Sequence, residues 1–399
     1  MPVFLLTAAF LEGATVTLIQ GFLPLYLRET MGVRSFVVLS LVMAIPALGT
    51  AIASNFWGGL SDVTGRIKPV VLVGIVGYAL ALAGIPALRQ GLVVLGWIGA
   101  ASLLYGTLAP TARAYATLVM PDRREQAIVY VLLAYSSGWL AGSLGGGGLI
   151  EKGLAPGLRA AMWSCAALTA LNGALVARFL PDLRRPPAPA PDRAQRGWAG
   201  GILDDLAALY ANPRLFGLCV IAFFTVAGNY LMWGFFTVFI VERLHATLHV
   251  VRYALAISSV LGVVALPFIG PLVRRFGGAR TLAFGITLYL FMYSAMGVTR
   301  DPIVAAILYA APLFGLVHVS TNTLASEYAS VSRRGGGMGV LQGAYSVATI
   351  VGPVTGGLIA DRVGLAAVPW TAFAFIATAC PIAWVAARKG MEQMRVAAV

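Results

Sequence analysis

Two ionisable side chains stand where only apolar ones are expected. Glu12 lies about nine residues into an apolar run at 3–27, and Arg113 lies inside another at 91–118. At about 1.5 Å of rise per helical residue, Glu12 is roughly 13 Å deep and Arg113 roughly 8 Å from the nearer end. Inserting a carboxylate at that depth costs at least about 2.5 kcal/mol, so it needs a partner, a water-filled cavity or a proton. Such a carboxyl can take up and release a proton and bind a cationic or polar ligand, or it can form a fixed bridge between helices. His318 and Asn322 stand four residues apart, on one helical face. The imidazole is either a titrating group or a hydrogen-bonded packing residue. Thr225, Asn229 and Trp233 share a face of a third run, and Gln20, Tyr26, Gln342 and Tyr345 add to the set. Mixed polar and aromatic walls of this kind suit amphipathic organic molecules.

The elements that must position these residues follow from composition. Of 399 residues, 59% are apolar and 11% charged, with a mean hydropathy of +0.86. Soluble domains carry about a quarter of charged residues, so this chain faces a different solvent. About 20 apolar residues cross a bilayer as a helix. Twelve spans are expected, at 3–27, 35–60, 69–88, 91–118, 126–149, 158–180, 213–241, 250–272, 281–299, 302–328, 337–360 and 366–387. The net charge of +13 resides in the breaks between them, which argues for a bilayer and against nucleic acid as the partner. Cys165, Cys219 and Cys380 all fall inside spans and read as small packing residues, without disulfide or metal-ligand spacing. The chain opens on its first span with no basic leader or cleavage site, so that span is expected to be a retained helix. There is no nucleophile with a base and no phosphate loop; Gly145 to Gly148 is a glycine run within a span. Neither catalysis nor a cofactor or metal is expected.

Basic residues favour one set of loops two to one, which predicts both termini in the cytoplasm. The longest break, 181–212, begins as a Pro-, Ala- and Arg-rich linker. It ends in a stretch, 198–210, with Ile202, Leu206 and Leu209 opposite Asp204 and Asp205, expected as a short helix on the inner membrane face. The domains are thus a six-helix bundle at 1–180, a cytoplasmic linker at 181–212 and a second bundle at 213–399. The bundles repeat. A shift of 212 lays Gly58, Asp62, Gly65 and Lys68 onto Gly270, Arg274, Gly277 and Arg280. A shift of 213 lays Gly21-Phe22 onto Gly234-Phe235, and 210 lays Gly142 and Gly146 onto Gly352 and Gly356. A parallel duplication places a binding site between the halves near mid-depth.

These residues resemble the major facilitator superfamily. The loop Gly58-Gly59-Leu60-Ser61-Asp62-Val63-Thr64-Gly65-Arg66-Ile67-Lys68 is similar to that family's loop signature, with Val63 in place of its first basic residue. Gly138-Trp139-Leu140-Ala141-Gly142-Ser143-Leu144-Gly145-Gly146 resembles its antiporter motif, with Ser143 for proline; Gly352-Pro353-Val354-Thr355-Gly356 is the proline-containing version. The resemblance covers the whole chain and is nearest to exporters that exchange drugs or sugars for protons. It implies an all-helical membrane fold with spans 1, 4, 7 and 10 lining a central cavity, making Glu12 and Arg113 neighbours across it. It implies that Asp62 contacts the start of span 11, with Arg66 and either Asp122 or Glu125 completing the cluster. Glycines at four-residue spacing (Gly138, Gly142 and Gly146; Gly352 and Gly356) let helices approach closely and slide during gating. The family's exporters carry an arginine four residues before a span-4 glycine; here Ser102 stands before Gly106, and Arg113 follows eleven residues later. The expected activity is export of a small amphipathic compound in exchange for protons, by a monomer in the cell's inner membrane. The alternative is a sugar or metabolite carrier, facilitative or symporting.

Overall fold

The computed structural model describes residues 2–120, 123–182, 212–328 and 334–397, the side chains of 55, 58, 59, 62, 63, 117, 124, 125, 128, 334–338 and 389–397 excepted. These residues form helices and no β-strand. In chain order the long helices of the first part are α1 (Val3–Glu29), α2 (Phe36–Thr64), α3 (Lys68–Ala87), α4 (Gly91–Ala116), α5 (Arg124–Ala141) and α6 (Leu154–Phe179). Those of the second are α7 (Pro213–Arg243), α8 (Leu248–Phe276), α9 (Gly278–Val298), α10 (Pro302–Tyr328), α11 (Gly339–Val363) and α12 (Leu365–Arg388). Among the described residues, eleven helices are long and apolar enough to cross a membrane. The expected fifth span is not one of them. α5 runs on helically through Gly142–Gly146 and Gly147–Ile150, but its glycines, serines and polar start lower its hydropathy. The short helix expected at 198–210 lies outside the described residues.

The helix ends follow local chemistry. Ser35 caps α2 by accepting from the Val38 amide, and Asp301 caps α10 by accepting from the Ile303 amide at 2.7 Å, with Pro302 at the first turn. Gly65 ends α2 at φ 65° and Gly277 follows α8 at φ 84°. Both are the loop-signature glycine of their half, and a side chain there would be strained. Non-helical turns break α4 between Tyr105 and Leu108 and α10 between Tyr309 and Leu313. π-type turns interrupt α1 at Thr17–Phe22 and α7 at Phe239–Arg243.

The chain packs as two compact units, Met1–Pro189 with Phe236–Val260, and Ala190–Phe235 with Leu261–Val399. In lipid no hydrophobic force draws helices together, so packing rests on small residues and interhelical hydrogen bonds. The first unit joins α1 to α5 in this way. A side chain on Gly138 would overlap the Phe10 carbonyl oxygen, and a Cβ on Gly142 would lie 2.8 Å from that of Ala14. Thr17 adds a hydrogen bond to the Trp139 carbonyl at 3.1 Å. The second unit joins α7 to α11 by the same device. A Cβ on Gly352 would overlap the Ala227 carbonyl oxygen, and one on Gly356 would lie 2.9 Å from the Leu231 side chain. Large apolar side chains instead cover the outer faces, among them Leu92, Phe268, Phe291 and Val363.

Candidate functional site

In the first unit the chemistry gathers around Glu12, which is 7% exposed. α1 is held against α5 one residue later, because a Cβ on Gly13 would overlap the Tyr135 carbonyl oxygen. On another side, α3 brings Tyr78, whose hydroxyl donates to Oε1 of Glu12 at 3.4 Å. The Tyr78 ring stacks on Tyr105 of α4, with centroids 4.5 Å apart and planes 18° from parallel. That stack is fixed by close approach of α3 and α4. A Cβ on Gly77 would overlap the Tyr105 amide nitrogen, and Thr107 donates to the Val70 carbonyl at 3.2 Å. Tyr78 and Tyr105 were not among the expected site residues, because a tyrosine within an apolar run carries no signal until its neighbour is known.

Arg113 does not close on Glu12. Its side chain is exposed, its charge reaches Glu12 through space, and no ion pair joins the two among the described residues. Their nearness was what the resemblance implied; here α4 is interrupted after Tyr105, on the way to the turn that carries Arg113. Ser102, where the family pattern has arginine, is buried and donates to the Gly99 carbonyl at 2.7 Å. Tyr26 is buried and its hydroxyl accepts from Nε of Arg159 at 3.1 Å; Gln20 is half-buried.

The second unit holds an aromatic ledge. Trp233 of α7 meets Tyr230 at 5.1 Å and Phe314 of α10 at 6.4 Å between centroids. Phe314 lies 4.0 Å from the His318 ring, and His318 lies 4.5 Å from Tyr345 of α11. The Tyr345 hydroxyl hydrogen-bonds to Thr321. The structure thus unites three expected residues, Trp233, His318 and Tyr345, through Phe314, which the helical spacing did not single out. Asn322 does not reach the imidazole ring; its amide donates to the His318 carbonyl one turn back, at 2.7 Å. Asn229 accepts from the Tyr293 hydroxyl at 2.8 Å, Gln342 is exposed, and the hydroxyl of buried Thr225 has no hydrogen-bond partner among the described residues.

The side chains of Asp62 and Glu125, and the whole of Asp122, lie outside the described residues, and Gly58 is described only as part of the α2 helix. Arg66 pairs with Asp182 beyond α6, Nη2 to Oδ2 at 2.6 Å. Pro353 sits inside the α11 helix. Ion pairs not foreseen from sequence tie the loop ends of the first unit. Arg28 grips Glu242 through Nε and Nη2 at 2.6 and 3.1 Å, and Glu151 receives Arg252 at 3.1 Å and faces His249 at 3.2 Å. Among the described residues no group of His, Cys, Asp or Glu could hold a metal ion.

The relatives fit this architecture. The chain is 26% identical to the Multidrug resistance protein MdtG of Enterobacter lignolyticus (strain SCF1), over 98% of this chain and 91% of that protein. It is 29% identical to the protein of the same name from Rahnella sp. (strain Y9602), over 75% and 71%. Its fold matches a mutant of the nucleoside transporter NupG with a TM-score of 0.80 at 14% identity, covering 96% of this chain and 98% of that one. It matches a bacterial homolog of the human lysosomal transporter Spinster with a TM-score of 0.75 at 14% identity, covering 97% and 96%. Residues 5–230 and 218–392 match the Major Facilitator Superfamily, and the chain belongs to that family of membrane transporters.

Proposed function

We propose that this protein exports a small amphipathic organic compound in exchange for protons, by alternating access. The observation that carries the reading is Glu12: a carboxyl buried inside a helix long and apolar enough to cross a bilayer, with a single hydroxyl as hydrogen-bond partner among the described residues. A permanently charged group there would be poorly compensated, whereas one that alternates between charged and protonated forms satisfies both states in turn. The relatives called multidrug resistance proteins support export of varied organic compounds. The ledge of Tyr230, Trp233, Phe314, His318 and Tyr345 supplies a flat apolar face for such a substrate.

The same reading includes twelve transmembrane helices, α5 being the one that is less apolar, in two parallel six-helix repeats at 1–180 and 213–399. The equivalent contacts Gly142 with Ala14 and Gly352 with Ala227 support the repeat. Both termini then face the cytoplasm, in a monomer of the inner membrane, and Gly138, Gly142, Gly146, Gly352 and Gly356 form the sliding surfaces of gating, assisted by Gly58, Asp62, Gly65 and Arg66 at the loop.

The test is transport in proteoliposomes with imposed pH gradients, using a panel of lipophilic cations, neutral amphiphiles and sugars. Wild type is expected to move an amphiphile uphill only with a proton gradient, and Glu12→Gln to lose uphill movement while retaining substrate exchange. Undiminished uphill export after the gradient is collapsed would exclude proton exchange, and a preference for sugars would favour a carrier of metabolites.

A further inference from the structure

Glu12 is held more closely than a bare ionisable site requires. Its only hydrogen-bond partner among the described residues comes from 66 residues away, the Tyr78 hydroxyl at 3.4 Å. Tyr78 is itself 5% exposed and cannot swing freely. Its ring lies flat on Tyr105, which is 6% exposed. The helices that carry the two rings are pressed together at Gly77, and at Gly74 a Cβ would lie 2.8 Å from the Thr107 hydroxyl oxygen. On the far side Gly13 presses α1 onto α5. The acid and its donor are thus mounted on two separately locked helix pairs, α1 with α5 and α3 with α4.

We infer that Tyr78 is the positioning residue of the Glu12 carboxyl, fixing its orientation while it is charged and relaxing that hold when it is protonated. The inference rests on the reading of Glu12 as the proton-carrying group. Its physical basis is that a hydrogen bond to a carboxylate is roughly twice as strong as one to a neutral acid. The hydroxyl therefore distinguishes the two states of Glu12 without giving up its own proton. The proton arrives on the carboxyl from water and leaves to water. In the charged state the donor draws Oε1 towards α3; in the neutral state the carboxylic acid is released from that direction and can reorient. The other groups within electrostatic reach of the pair are Arg113 and Tyr105 on α4 and Tyr135 on α5.

The experiment needs no substrate. Infrared titration of the purified protein in bilayers, wild type minus Glu12→Gln, isolates the band of the protonated Glu12 carboxyl. In Tyr78→Phe, which keeps the ring stack, the midpoint of that band's titration is expected to move by about one pH unit, one tenfold step in the proton equilibrium. Its carbonyl frequency is expected to stay in place, because the protonated acid is already released from the Tyr78 hydroxyl. Superimposable titrations would overturn the inference. Should Tyr78→Phe fail to accumulate, Glu12→Asp withdraws the carboxyl by one methylene without touching α3, and it is expected to give the same displacement; a wild-type titration there would also overturn it. A wild-type chain with no titrating Glu12 band would instead remove the parent reading.

Discussion

The Glu12 region and the region around Thr225 and Trp233 are built on the same helix packing and carry opposite chemistry. In the first unit Gly142 brings α5 onto Ala14; in the second Gly352 brings α11 onto Ala227, which stands 213 residues after Ala14. Two residues before each contact stand Glu12 and Thr225. Glu12 has a tyrosine hydroxyl to bind, while the Thr225 hydroxyl has no hydrogen-bond partner among the described residues and Asn229 pairs with Tyr293 one turn on. The lesson is one of separable constraints. Close approach depends on the residue at the contact being small, and it leaves the next helical face free to diverge.

The largest effect that bears on this comparison is expected from filling the contacts themselves. Gly138→Leu and Gly352→Leu each drive a side chain into a facing carbonyl oxygen, and both are expected to abolish accumulation of folded protein, followed by size-exclusion profiles in detergent. If one is tolerated and the other not, the two packings are not equivalent. A middle-sized effect is expected from Trp233→Ala, which removes the centre of the aromatic ledge. Losing an aromatic contact of about 0.5–1.5 kcal/mol should raise the KM for an exported amphiphile roughly threefold to tenfold, with proton coupling intact. Loss of coupling in that variant would break the division of labour between the two regions. The smallest effect is expected from Thr225→Val, an equal-sized change that deletes a buried hydroxyl with no partner among the described residues. Its thermal midpoint in detergent should stay level or rise, since an unsatisfied hydroxyl costs about 1–3 kcal/mol. A marked fall would show that Thr225 has a partner in the working protein.

Much of the fold was legible because its signals are local. A run of about 20 apolar residues declares a helix whatever it packs against. Glycines at four-residue spacing declare a close helix approach, and Gly138, Gly142, Gly352 and Gly356 all make one. α5 was harder, since the residues that let it pack on α1 are those that weaken its hydropathy. The site was legible in its members more than in its pairings. Glu12, Trp233, His318 and Tyr345 could be read from residue type and helical face. Tyr78, Tyr105 and Phe314 could not, because a tyrosine or phenylalanine in an apolar helix is unremarkable until its neighbour is known.

By itself the sequence determined the helical class, the family, the positions of the packing glycines and the rarity of the buried acid. The class, the glycines and the rare acid are properties of composition or short-range spacing along one chain segment, and the family was legible as a resemblance of motifs. The tertiary structure alone decided that Glu12 turns to Tyr78 and not to Arg113, that Arg66 pairs with Asp182, and that Phe314 bridges Trp233 to His318. Those choices depend on the rotation and tilt of each helix against its neighbours, set jointly by contacts from distant segments and by breaks such as that after Tyr105.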